Sequence, residues 1–422
     1  MSSLLYLGTF IFAIIGGPIF AVMSLFALIA FSYADIDSSA IAVEIYRIAG
    51  SPTLLTIPLF TFAGYMMAES KSPQRLLKLA SAALGWLPGG VAIVSLVICA
   101  FFTAFTGASG VTIIALGGLL YPMLIKEGYN EKFTLGLITT SGSLGLLFPP
   151  SLPIILYGII AKVDIDKLFL AGVVPGILLI LVLSGWSIYC GKKSKALSRT
   201  PFSWEVLKDA LWDSRFELPL PLIVLGGIYG GFVTATEASA LTAGYVLLMV
   251  CFLYKDLALF KDIPRIIKES QTLVGAILLI LCCALGLTNY LVDEEIPMQI
   301  LEQMKLYIDN KYVFLLFLNI FLLIVGSMMD IFSAIIVVVP LILPVAAEFG
   351  VDPVHLAIIF LTNLEIGYIT PPVGINLFIS SFRFKKPVLT LYKASVPYLI
   401  LMLFALALIT YIPTLSLFWF DN

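Results

Sequence analysis

The chain carries one unusual passage twice, inside apolar sequence that would otherwise read as long helix. GSLGLLFPPS runs from Gly142 to Ser151 and LEIGYITPPVG from Leu364 to Gly374, with Ile375 and Asn376 following at once. The first prolines of the two pairs stand 371 − 149 = 222 residues apart. The same offset relates Gly145 to Gly367, Pro122 to Pro344, Gly128 to Gly350, Thr140 to Thr362 and Pro175 to Pro397. A constant offset over so many positions makes the chain two copies of one unit. Glycine and proline interrupt helices, and interruptions at matching positions of two apolar halves point to the binding site of a secondary transporter.

Composition places those halves in a membrane. With 60% hydrophobic and 12% charged residues and a mean hydropathy of +1.07, the chain is far more apolar than a soluble globule. Apolar segments of spanning length occupy residues 4–33, 51–69, 88–125, 131–161, 168–190, 217–254, 271–292, 312–347, 354–382 and 394–413. One crossing takes about 20 residues, so 88–125, 217–254 and 312–347 are each long enough to enter and return. Residues 4–33, with Gly16, Gly17 and Pro18 near the middle, fit either one crossing or two. That segment lacks a basic start and exceeds the apolar core of a signal peptide, so it reads as retained membrane sequence. Two amphipathic stretches, Pro73 to Trp86 and Ile296 to Ile308, also match under the offset and read as arms lying at the interface.

Loop charge sets the orientation. The loops holding Lys192, Lys193, Lys195, Arg199, Lys208 and Arg215, then Lys255, Lys261, Arg265 and Lys268, then Arg383, Lys385, Lys386 and Lys393, belong on the cytoplasmic side. The acidic stretches with Asp35, Asp37 and Glu44 and with Asp293, Glu294, Glu295 and Asp309 fall outside. If 88–125 and 312–347 are re-entrant hairpins, the first opens inward and the second outward, so the copies are inverted. The expected fold is an all-α polytopic membrane protein with inverted repeats, each supplying one hairpin and one broken helix.

The breaks carry the chemistry. Unpaired backbone groups are tolerated at membrane depth only where they are buried in protein or line a wet cavity. Helix N-termini then offer N–H donors to an anion, and freed carbonyls hold a small cation. Four interruptions qualify: Thr106 to Ser109, Ser141 to Ser151, Ser327 to Asp330 and Asn363 to Asn376. Their Ser, Thr and Asn side chains are hard oxygen ligands without fixed charge, which suits sodium and a carboxylated solute in one site. A single kink is ordinarily only a bend, with Ser or Thr bonding back to its own helix, but chance kinks do not recur in pairs.

Charges at membrane depth are functional candidates by default. Asp330, at the predicted second tip, either completes a cation site or caps the helix beginning at Ile331. Glu237 in TATEAS reads as a structural cap, Glu365 is open, and His355, after Asp352 and Pro353, reads as structural. Arg47 and Arg383 could meet a substrate carboxylate or the head group of an anionic membrane lipid, though an interfacial Arg is ordinarily an anchor that snorkels. The five cysteines (Cys99, Cys190, Cys251, Cys282, Cys283) show no CxxC spacing and read as small core residues. One histidine, no phosphate-binding loop and no metal-ligand spacing argue against an enzyme or an ATPase and imply no cofactor beyond coupling ions. No basic run is present to bind nucleic acid.

TGASGVTIIALGGLLYP, GSLGLLFPPSLPIILYG, GGFVTATEASAL, GSMMDIFSAIIVVVPLILPV and NLEIGYITPPVGINLF resemble, in order and over nearly the whole chain, the large membrane subunit of TRAP transporters, the tripartite ATP-independent periplasmic carriers of bacteria and archaea. The resemblance implies an elevator-type transporter of the inner membrane, similar to the ion transporter superfamily, that is driven by sodium. It implies import of an organic acid such as a C4-dicarboxylate, sialic acid, a keto acid or a sugar acid. The partners it implies are a small four-helix membrane subunit, here expected as a separate polypeptide, and a periplasmic substrate-binding protein. Carried onto this sequence, sodium would be held by Thr106, Ser109, Gly110, Ser141, Gly142, Ser143, Gly326, Asp330, Asn363, Gly367 and Thr370. Substrate would meet Ser109, Pro150, Ser151, Pro371, Pro372, Gly374, Asn376 and Arg47. Residues 88–190 and 312–422 would form the moving domain, and 1–87 with 191–311 the scaffold and arms. A stand-alone sodium and anion symporter of related architecture is the alternative.

Overall fold

The computed structural model describes the chain apart from residues 1, 34–36, 38, 40–42, 44, 45, 47–49, 88, 194–201, 306, 307, 309, 421 and 422. Every regular element among the described residues is a helix. The duplication holds element by element. In the first copy, helices Gly90–Thr106 and Ser109–Lys126 form a hairpin. Helices Glu131–Ser141 and Leu152–Ala161 follow as one span bent by 43° at its break, and Ile165–Lys193 returns across the membrane. In the second copy, the hairpin is Lys311–Met328 with Ile331–Glu348, the broken helix Pro353–Gly367 with Ile375–Phe384, and the return span Val388–Tyr411. Adding 222 to Ser109, Lys126 and Glu131 gives the structure's own boundaries, Ile331, Glu348 and Pro353.

The copies interlock. The return helix of each hairpin packs on the outgoing half of the other copy's broken helix, Ser109–Lys126 on Ile375–Phe384 and Ile331–Glu348 on Leu152–Ala161. Glu131–Ser141 packs on Val388–Tyr411, and Pro353–Gly367 on Ile165–Lys193. Breaking any of these paired helices therefore disturbs both halves. Around this body stand Thr56–Glu69, the pair Pro219–Tyr229 and Ala235–Leu253 joined by a short turn, and Asp262–Asp293. The pair is the in-and-out reading of 217–254. Residues 4–33 are two helices, Ser2–Ile14 and Ile19–Tyr33, parted at Gly16 with φ +97°. Each is shorter than the roughly 20 residues of one crossing.

Ion pairs and side-chain contacts sort the loop ends into two groups, as the orientation requires. Arg75 bonds Glu217 and Asp256, Lys78 bonds Asp213, Arg265 bonds Glu69 and Lys386 bonds Glu131. All lie at loops placed inside. At the other end Lys305 meets Glu348, Lys311 reaches the Gly350 carbonyl, and Tyr229 reaches the Asp166 carbonyl. The arms are present as Ser72–Leu84 and Ile296–Lys305. The first is fastened by a buried cluster: Arg75 Nε lies 2.6 Å from Glu217 Oε1, Arg75 Nη2 lies 2.7 Å from Asp256 Oδ2, and the guanidinium sits 3.6 Å from the Tyr254 ring centroid.

Candidate functional site

Each hairpin tip meets the break of its own copy. In the first copy the chain turns at Gly107, with φ +63°, and Ala108. Thr103, one turn before the tip, donates to the Gly142 carbonyl at 2.7 Å and lies 2.8 Å from the Thr112 hydroxyl. This one hydroxyl ties both arms of the hairpin to the end of the first half-helix. Contact at Gly145 is backbone to backbone: a Cβ there would stand 2.1 Å from the Ala100 carbonyl oxygen, so only glycine fits. Thr106, Ser109, Ser141, Gly142 and Ser143 are all buried around this junction, and Gly110 is partly so. Ser141 and Ser143 donate to the Ile138 and Thr140 carbonyls of their own helix, at 3.2 and 3.3 Å, which leaves their lone pairs for a cation. Beyond the break, Pro150 and Ser151 are buried, and the Ser151 hydroxyl has no partner.

The second junction repeats this with different side chains. A Cβ on Gly367 would stand 2.4 Å from the Gly326 carbonyl carbon, and Gly326 is the offset partner of Ala104, which approaches Gly145 in the first copy. Asp330 is an N-cap: Oδ1 accepts from the Phe332 and Ser333 amides at 3.0 Å each, and Oδ2 bonds the Ser333 hydroxyl. A carboxylate has about four lone-pair positions, so capping leaves room for one more ligand. The Tyr368 hydroxyl accepts from the Ile331 amide at 2.7 Å, and the Gly374 amide donates to the Ser327 carbonyl at 3.0 Å. Thr370 donates to its own helix at Ile366. Pro371 and Pro372 are exposed, unlike Pro150 and Ser151.

The other expected residues fall as follows. Asn363 lies a turn before the break, donating to Asn319 Oδ1 at 2.7 Å, while Asn319 donates on to Thr410 Oγ1 at 3.1 Å. Asn376 donates to the Thr139 carbonyl of the first copy at 3.2 Å, beside a 2.9 Å hydroxyl contact of Thr139 with Ser380. Arg47 lies outside the described residues. Glu237 is the N3 member of a capping box, accepting from the Thr234 amide at 2.8 Å, as its structural reading required. His355 bonds Ser416 and the Thr410 carbonyl in the core. Glu365 is fully buried with neither oxygen partnered.

Sequence reasoning passed over Thr103, Thr139, Ser380, Asn319 and Tyr368. Asn319 had a readable signal, as a lone amide within VFLLFLNIFLLIV. So did Tyr368, whose offset partner is Leu146. Thr103 and Thr139 had none, because a threonine in an apolar helix ordinarily bonds its own backbone.

Four helix N-termini, at Ser109, Leu152, Ile331 and Ile375, thus belong to the two junctions, together with neutral oxygens and one carboxylate. The Thr140 and Ser151 hydroxyls and the Asn363 and Asn376 side-chain oxygens are buried without partners. Leaving such groups unpaired is costly, so a polar guest at the junctions would find acceptors ready for it.

This is the architecture of an inverted-repeat membrane transporter, and comparison with known proteins names the family. The profile of the tripartite ATP-independent periplasmic transporter DctM component matches residues 4–415. The C4-dicarboxylate TRAP transporter large permease protein DctM of Vibrio cholerae is 35% identical over 427 residues, covering 96% of this chain and 94% of that one. The isethionate TRAP transporter permease protein DctMQ of Oleidesulfovibrio alaskensis is also 35% identical, over 97% of this chain. This chain spans only 65% of that relative's length. The ectoine/5-hydroxyectoine TRAP transporter large permease protein UehC of Ruegeria pomeroyi is 29% identical across both chains. The YdaH transporter of Alcanivorax borkumensis, a solved structure described as having an unusual topology, aligns with a TM-score of 0.62 at 12% identity, covering 90% of this chain and 88% of that one. That likeness is one of fold. The chain belongs to the DctM family of TRAP transporter permeases, multi-pass proteins of the bacterial inner membrane that are not enzymes. The family's name makes it one component of a tripartite system.

Proposed function

We propose that this chain is the large subunit of a sodium-coupled, binding-protein-dependent transporter that imports a small organic acid by an elevator movement. The observation that carries the reading is the pair of junctions, each a hairpin tip held on a broken helix and each leaving buried oxygens unpartnered. Sodium binds first, at the first junction through Thr106, Ser109, Gly110, Ser141, Gly142 and Ser143, and at the second through Gly326, Asp330, Gly367 and Thr370, with Asn363 behind. Its charge lowers the cost of bringing a carboxylate into low dielectric, where Ser109, Ser151, Gly374 and Asn376 and the helix N-termini receive it. Each ligand shifts the carrier toward the state that binds the other, which is coupling by differential affinity.

Named relatives act on C4-dicarboxylates, isethionate and ectoine, and a small solute with an acidic group is the common chemistry. Selectivity resides largely with a periplasmic binding protein, and a small four-helix subunit completes the membrane part. Residues 88–190 and 312–422 move, and 1–87 with 191–311 stay. The test is uptake of labelled acids into proteoliposomes holding both membrane subunits, with the binding protein added outside. Uptake should require an inward sodium gradient and the binding protein. Equal uptake without the gradient overturns the coupling, and equal uptake by this chain alone overturns the dependence on partners.

A further inference from the structure

The two hairpins differ on one face. In the first, Ala92, Ser95 and Cys99 are small and buried under the chain's own helices. Their offset partners in the second hairpin are Phe314, Phe317 and Phe321, and Phe317 and Phe321 are 53% and 46% exposed. Large, half-exposed aromatic rings thus stand where the first hairpin has small packed residues. Between these rings and the return helix runs a cleft of about 380 Å³, lined only by apolar side chains, among them Met304 of the second arm, Phe317, Phe321, Leu341 and Val345. Pro340 and Pro344 lie within the return helix along this stretch.

We propose that this cleft binds one acyl chain of a membrane phospholipid, with the lipid phosphate held by Lys311. Three observations favour a lipid over a protein helix. The lining offers no hydrogen-bonding side chain, so nothing in it reads sequence or polarity, and hydrocarbon satisfies it fully. Lys311 opens the same helix face one turn before Phe314, at the outer membrane end. Its ammonium donates to the Gly350 carbonyl and has no carboxylate within 4 Å among the described residues. An interfacial cation with no carboxylate beside it among the described residues, above an apolar slot, matches a phosphate on an acyl chain, and Met304, beside Lys305, lines the slot from the arm. Such a lipid joins the arm to the second hairpin, so the hairpin cannot pass the arm without releasing it.

The test uses this chain purified with its small subunit, in vesicles of phosphatidylethanolamine with phosphatidylglycerol bearing a diazirine on one acyl chain. After illumination, adducts are mapped by mass spectrometry. Labelling should concentrate on Phe317, Phe321 and Leu341 above the level at Ile400, an exposed residue of the last span. Leu341→Trp displaces several methylenes and should cut the cleft adducts by about tenfold. Lys311→Gln, outside the core, should lower them without changing Ile400. Labelling no stronger than at Ile400, or unchanged in both variants, overturns the proposal as general lipid contact. Cleft labelling seen with this chain alone but lost in the two-subunit complex overturns it in favour of a protein cover.

Discussion

The first copy is shut and the second is open, although one repeated sequence built both. At the first junction Thr106, Gly107, Pro150 and Ser151 are buried, and the tip is pressed against Thr56–Glu69, where a Cβ on Gly64 would stand 2.3 Å from the Phe105 carbonyl oxygen. At the second, Met328 is 62% exposed and Pro371 to Val373 are exposed as well. The arms follow suit. The first is pinned by a buried ion cluster, whereas the second meets its hairpin through an exposed Lys305–Glu348 pair at 3.5 Å. A molecule built from two copies of one unit is thus packed asymmetrically. That combination, symmetry of sequence with asymmetry of packing, is what the elevator movement proposed above would use.

Substitutions that break this comparison should do so unequally. The largest effect is expected from Gly367→Val, which drives a side chain into the Gly326 backbone; uptake should fall below detection while membrane insertion, read by surface labelling, persists. Gly145→Val should do the same from the first copy, and normal uptake in either variant would show that junction to be dispensable. Glu217→Gln strips one partner from a buried pair and should lower stability by about 3 kcal/mol, seen as a lower thermal midpoint in detergent. The corresponding Glu348→Gln in the exposed pair should cost well under about 1 kcal/mol. Equal losses would mean the arms are fastened alike.

Asp330→Asn sharpens the second junction, because asparagine caps a helix as well as aspartate does but carries no charge. A raised sodium requirement with an unchanged thermal midpoint assigns the carboxylate to the ion, while unchanged uptake confines it to capping. The smallest effect belongs to Lys78 on the first arm. Its hydrogen bond to Asp213 holds the ammonium above its ordinary pKa, so the pair's contribution is complete at neutral pH and fades only as pH rises past that value. Lys78→Ala should barely move the midpoint at pH 7, and any difference should shrink with salt.

Much of this was legible in the sequence because lipid enforces strict rules. Backbone groups must be paired inside a bilayer, so the Gly-Pro interruptions could be read as breaks, and the offset of 222 recurs in the order of the helices and in the boundaries at Ile331, Glu348 and Pro353. The ion pairs join loops that loop charge had assigned to one end, and TATEAS announced its capping box. The asymmetry was not legible. Nothing in the spacing says that Pro150 is buried and Pro371 exposed, since that depends on where the interlocked copies sit against the surrounding helices. Nor could spacing show that Thr103 would reach Gly142 or that Asn376 would bond the opposite copy. The chain by itself fixed a duplicated membrane unit with two broken crossings, because propensity and solvation act locally. Tertiary structure alone decided which copy is covered and which oxygens are left without partners, because those follow from packing between residues hundreds of positions apart.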